Sequence, residues 1–279
     1  MTIAQGYKLF GYRILIRTDS ARAAELFAAL YAGREDNSSE AAAGIYELWR
    51  PSGGEETGEW MIRVPGPPPH GKPSFGEAIA AVEATISSDV ARHPHGLHVV
   101  HGGVVYGPEG DLLLSGNSGA GKTTLSLALA TRGLRVGGDD MSMLDPVSGV
   151  CVPHPRCFHI DERSAGMLAE LGLGLPADGL RDQFVTPGDL GLPSPPAARI
   201  RFVFLLEPER LAAPRIVPET QAQAASRLLL QTGRGHFRDM DGVRAMSRFV
   251  GEAQCYRLWS GALGETVREV AHIATLRKM

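Results

Sequence analysis

The stretch "LLLSGNSGAGKTTLSLALATRGLRVGGDD", residues 112–140, constrains the chain more than any other. Within it "GNSGAGKT" fits the pattern G-x-x-x-x-G-K-[ST], with Gly116, Gly121, Lys122 and Thr123 at the fixed positions. An apolar run, "DLLLS", leads in and an amphipathic run leads out, so the segment predicts strand, tight loop and helix. Glycines at 116, 119 and 121 permit positive φ and close approach of a ligand to the backbone. The backbone from Gly116 through Asn117, Ser118, Gly119, Ala120 and Gly121, with the helix start at Lys122, Thr123 and Thr124, then faces an anion. Lys122 is placed to reach β- and γ-phosphate oxygens, and the Thr123 hydroxyl to sit on Mg²⁺. Such a loop binds nucleotide phosphate; alone it does not choose among kinase, ATPase and switch protein.

Asp139 and Asp140 end the short run "LRVGGDD" just after the loop helix. In a parallel crossover the end of that strand lies beside the end of the loop strand, so both carboxylates reach the phosphates. One can hold Mg²⁺ directly or through water. The other can accept a proton from an attacking hydroxyl or water.

"HPHGLHVVH" supplies His93, His95, His98 and His101. Zinc is a poor reading, since His98 and His101 fall on opposite faces of a strand and no cysteine is near. His101 stands apart, because "LHVVHGGVVY" and "DLLLSG" read as a hairpin that sets its strand beside the loop strand.

The rest of the chain frames this core. With a net charge of −3 it has no basic field for nucleic acid or an anionic membrane, and no apolar run of membrane-spanning length. The start lacks the pattern of a secretory signal, and Cys151, Cys157 and Cys255 form no CxxC pair, so a cytoplasmic protein with reduced thiols is expected. Strand patterns at 7–18, 45–49 and 59–64 and a Ser20-capped helix at 21–32 predict a small N-terminal α/β domain, residues 1–70. The proline-rich "PGPPPHGKPS", residues 65–74, reads as the linker to the second domain, 71–279. That domain should hold a helix at 75–92, a hairpin turned at "DPVSG", a strand at 199–208, a helix at 219–231 and a closing strand and helix. Residues 172–197, rich in Gly and Pro, carry no clear pattern.

From His101 to Asp140 the chain resembles the catalytic core of the HPr kinase/phosphorylase family. That family carries a His on the strand entering the hairpin, the glycine loop, "RG", a short strand and "DD", matched here by His101, 116–123, Arg132-Gly133 and Asp139-Asp140. The resemblance implies an α/β fold with a P-loop kinase core of the HPr kinase/phosphoenolpyruvate carboxykinase type, behind the small N-terminal segment. It implies transfer of phosphate from ATP, with Mg²⁺, to a serine-type hydroxyl. Asp139 would be the general base, Asp140 would assist it and, with Thr123, organise the metal, and His101 would tune the proton transfer. HPr kinases assemble, so a homo-oligomer is implied too. The signature "EIRGLGI" is absent and "VPHPRCFHIDERSAGM" stands in its place. The chain is thus more similar to the shorter relatives of biosynthetic clusters, some of which phosphorylate a serine on a lasso-type precursor peptide.

A transferred phosphoryl group needs further cations, and Arg156, Arg234 and Arg238 are the candidates for phosphate or acceptor contacts. The acceptor is expected to be a peptide or a small molecule bearing a hydroxyl. Two other readings remain: a nucleotide-binding regulator without catalysis, and an ATPase with water as acceptor.

Overall fold

The computed structural model describes residues 2–51, 59–93, 96–173, 184–192, 194–231 and 240–275. The N-terminal pattern folds as β1 (Ile3–Leu9) and β2 (Tyr12–Thr18), an antiparallel hairpin, followed by α1 (Ala21–Leu30). Ser20 caps α1 by accepting from the Ala23 amide at 3.2 Å. The helix carries the chain back to β3 (Gly44–Trp49), parallel to β2, and β4 (Trp60–Arg63) returns antiparallel. The expected linker holds a further strand, β5 (His70–Lys72), which pairs with β4 and ends the five-stranded sheet.

The helix α2 (Phe75–Arg92) starts at a Ser74 cap. Its apolar row Ile79, Val82, Ile86 and Val90 is buried in one cluster with Tyr7, Tyr46, Trp60 and Ile62 of this sheet. The apolar core therefore does not divide at residue 70: α2, drawn from sequence into the second domain, packs on the first sheet. The prolines at 65, 67–69 and 73 flank β5 rather than lie in it, so they stop a helix and still leave room for a short edge strand.

After α2 the run read as one strand splits. β6 (His98–His101) and β7 (Gly103–Tyr106) belong to different sheets, and Gly102 is the switch. A Cβ there would lie 2.8 Å from Leu113 Cδ1 and 3.0 Å from Leu114 O, so only glycine lets the chain cross so close. β8 (Asp111–Gly116) pairs with β7 and delivers the loop to α3 (Lys122–Ala130), and β9 (Arg135–Gly138) follows. β10 (Met141–Leu144) and β11 (Cys151–Pro153) form the hairpin expected at "DPVSG", and β10 pairs with β6. Then come β12 (Phe158–His159), α4 (Glu162–Glu170), β13 (Phe184–Val185), β14 (Ile200–Leu206) and β15 (Arg215–Glu219). α5 (Gln221–Gln231), α6 (Met240–Gly251), β16 (Gln254–Trp259) and α7 (Leu263–Thr275) complete the order.

The larger sheet runs β15-β16-β14-β8-β7-β9, with β16, β14 and β8 parallel. Alternation along β8 and β14 serves two layers. Leu112, Leu114, Phe202 and Phe204 pack with Leu125 and Leu129 of α3 and Val267 and Val270 of α7. Leu113, Val203 and Leu205 pack with Ala224 and Leu228 of α5 and Met246 and Phe249 of α6. The chain is thus mixed α/β with several sheets, and the glycine loop leaves the centre of the largest. One expectation changes here. The strand before the aspartates does not lie beside the loop strand, because β7 is hairpinned to β8 and takes that place, and β9 pairs with β7 instead.

Candidate active site

The loop leaves β8 at Gly116, level with Leu206 of β14. A Cβ at Gly116 would come within 2.8 Å of Leu206 O, which explains glycine at the exit. Gly119 and Gly121 have φ of 80° and 92°, and space for a side chain is open at both, so the backbone conformation alone demands glycine. Gly121 caps α3 without any side-chain hydrogen bond. The first amides of α3 therefore carry no side-chain cap, and the helix dipole would favour an anion there.

Lys122 arches back over the loop. Its Nζ donates to Gly116 O at 2.7 Å and Asn117 O at 3.2 Å. Burial holds its pKa below the usual lysine value, against the upward pull of Asp140 and Asp139. Thr123 Oγ1 donates to Asp139 Oδ2 at 2.5 Å. Asp139 is buried, and burial raises its pKa above the ordinary carboxylate value while the Thr123 hydrogen bond pulls it down. Asp140 is more exposed and forms an ion pair with Arg156, with His101 Nδ1 at 3.4 Å on its other oxygen. His101 has its pKa lowered by burial and by the neighbouring charges of Lys122 and Arg156, against Asp140.

His101, Lys122, Thr123, Asp139, Asp140 and Arg156 thus converge, although His101 reaches the site by another route than expected. Its strand β6 lies in the three-stranded sheet, opposite Met141. A link to the loop strand survives through the backbone, since Ser115 Oγ donates to His101 O at 2.5 Å. The two aspartates follow β9 and precede β10, at the point where the chain passes from one sheet to the other. Arg234 and Arg238, and His95 of the histidine cluster, lie outside the described residues.

These groups floor a cavity of about 1060 Å³. One wall is the start of α2, from Pro73 to Ala80, and the other is Arg156 to Met167 with Arg210. Two residues on or behind the walls were given no functional role by the sequence. His159 lines the cavity, and its Nε2 lies 3.3 Å from Glu83 Oε2, an ion pair whenever the imidazole is protonated. Glu83 Oε1 accepts from the Cys157 amide at 2.9 Å, while Oε2 has no hydrogen bond. The signal was present: Glu83 follows Ile79 by four residues on the apolar face of α2, where a carboxyl group needs a partner.

Thr123 and the two carboxylates offer only oxygen. Among the described residues no group of three or more His, Cys, Asp and Glu could cage a metal. That donor set fits Mg²⁺, which is held by one or two carboxylates together with substrate phosphates and waters. No helix of the described residues is long and apolar enough to cross a membrane. Set against models of known protein families the chain matches none, and no curated protein matches it.

Proposed function

We propose that this chain is a kinase of the P-loop type that moves the γ-phosphoryl group of ATP onto a serine- or threonine-type hydroxyl. The acceptor is a peptide or a small molecule. The observation that carries this reading is Asp139: a buried carboxylate, proton affinity raised by burial, hydrogen-bonded to the hydroxyl that follows the loop lysine. The HPr kinase-like core expected from the sequence is part of the same proposal.

In this reading the amides of residues 117–121 and the open start of α3 bind the triphosphate. Lys122 leaves its carbonyl partners for phosphate oxygens, which repay its burial. Asp139 accepts the proton of the acceptor hydroxyl as its oxygen attacks the γ-phosphorus, and the bond to the β-phosphate oxygen breaks. Mg²⁺, held by Thr123 and the carboxylate pair through Asp140, would neutralise charge on the β- and γ-oxygens. Arg156 holds Asp140 and places a second positive charge at the reacting end, where charge spreads over the transferred oxygens. His101 fixes the other oxygen of Asp140.

Glu207 offers water no second base beside the aspartates. It follows β14, the strand next to the loop strand, but Arg227 and Arg257 hold its Oε1 at 2.9 and 2.8 Å. A carboxylate so engaged is poorly placed to activate water. Incubation with γ-labelled ATP, Mg²⁺ and a panel of serine peptides and small alcohols tests the reading. Label transferred faster than it is released as phosphate supports a kinase. Release alone, at the same rate with and without acceptors, makes the chain an ATPase.

A further inference from the structure

The cleft does not end at the loop. A second cavity of about 470 Å³ opens beside it, lined by Arg163, Met167, Glu170 and Leu171 of the α4 side, by Arg210, and by Ala262 to Gly264 at the start of α7. Arg163, Met167 and Arg210 line both cavities, so the two share a wall. Neither the loop motif nor the aspartates account for this second space.

We infer that it receives the purine nucleoside of the nucleotide. The inference rests on the reading of the loop as a triphosphate site, and it follows from direction. Asp139 bonds Thr123, so the reacting end of the phosphate row lies on that side. The nucleoside must leave from the other. There Thr124 Oγ1 lies 3.0 Å from Ser164 Oγ of α4, which ties the loop helix to the shared wall. Past that contact come Met167 and the second cavity.

Its chemistry suits a flat heteroaromatic ring. Leu171, Leu263 and Met167 give apolar surface, and the methionine adapts to a ring edge or face. Arg210 stands at the mouth, its guanidinium steadied by donation to Gly261 O at 3.1 Å, where it can stack on a π face. Glu170 supplies a rim acceptor for the N–H groups of an amino-bearing purine. Gly264 faces Leu171 across the slot, where an added Cβ would come into ordinary contact with Leu171 Cδ2 at 3.4 Å. With the nucleoside on the α4–α7 side, the wall formed by α2 and His159 is left for the acceptor.

Calorimetric titration of the full chain with Mg·ATP, Mg·GTP and Mg·tripolyphosphate tests this. The wild type should bind one of the two purine nucleotides at least about tenfold more tightly than tripolyphosphate. Two variants that line the second cavity and not the first, Leu263→Asn and Ala262→Trp, should cut that preference to about threefold or less and leave tripolyphosphate binding unchanged. Ala262 is exposed, so its variant keeps the fold. Equal affinity for nucleotide and tripolyphosphate, or a preference unchanged in both variants, would overturn the nucleoside pocket while leaving the loop reading intact. Failure of all three ligands to bind would overturn both.

Discussion

The hydroxyl of Thr123, the residue after the loop lysine, donates to the buried carboxylate of Asp139 across sixteen residues of chain. The bond joins the start of α3 to the far end of β9, past the intervening β7. It ties the glycine loop and its helix to the aspartate pair, the two halves of the proposed site.

Among the described residues the Lys122 ammonium donates to two carbonyls, and the proposed function gives it phosphate oxygens in their place. Lys122→Ala should weaken Mg·ATP binding by about 1.5–3 kcal/mol, the worth of charge-assisted hydrogen bonds to phosphate. Calorimetry on folded mutant protein checks this.

Gly121 occupies the left-handed region with open space around it. Gly121→Ala should therefore cost backbone strain alone, about 1–2 kcal/mol. Thermal unfolding reads the stability loss, and nucleotide titration reads the accompanying loss of affinity.

Arg156 pairs Asp140, and the proposed function sets this pair at the reacting end. Arg156→Ala should lower kcat for transfer by about 100-fold, as loss of one donor to a developing charge does, with nucleotide Kd nearly unchanged. Parallel weakening of Kd would move Arg156 from the reacting group to ground-state binding.

Glu83 accepts the Cys157 amide from inside the α2 core. Glu83→Leu removes that acceptor and should destabilise by about 1–3 kcal/mol, whereas Glu83→Gln keeps it and should stay within about 1 kcal/mol of the wild type. Urea unfolding distinguishes the two.

His154 is fully buried, with Nε2 3.1 Å from Ser87 Oγ, and burial with the nearby Arg156 and Arg34 lowers its pKa to about 3. Unfolding restores an ordinary histidine near 6.5. Between these values the unfolded chain binds the extra proton, so stability falls as pH falls, by at most about 1.4 kcal/mol per pH unit. His154→Gln should flatten the pH dependence of Tm from pH 6.5 down to 4.

The legible parts of the fold were those set by local pattern. The row Ile79-Val82-Ile86-Val90 gave α2, the loop motif gave α3 at its exit, and the glycine spacing gave the loop conformation. The loop, Asp139, Asp140 and Arg156 could be grouped because they lie close in sequence or follow a short crossover. What stayed hidden depends on long-range pairing. "HVVHGGVVY" reads as one strand because both halves are apolar, and only the crowding of Gly102 against β8 reveals two sheets. The pairing of β6 with β10 and the wedge of β7 between β8 and β9 leave no local mark. Nor does the approach of His159 to Glu83, residues on separate elements joined only by the packed core.

The measurement that bears most directly on the central claim compares wild type with Asp139→Asn for phosphoryl transfer from Mg·ATP, with nucleotide binding measured on the same samples. The substitution keeps the shape and an acceptor for Thr123 but removes the base. The account predicts transfer reduced by about 10²–10⁴-fold with affinity for Mg·ATP preserved within a few fold. Transfer at the wild-type rate by Asp139→Asn would contradict it.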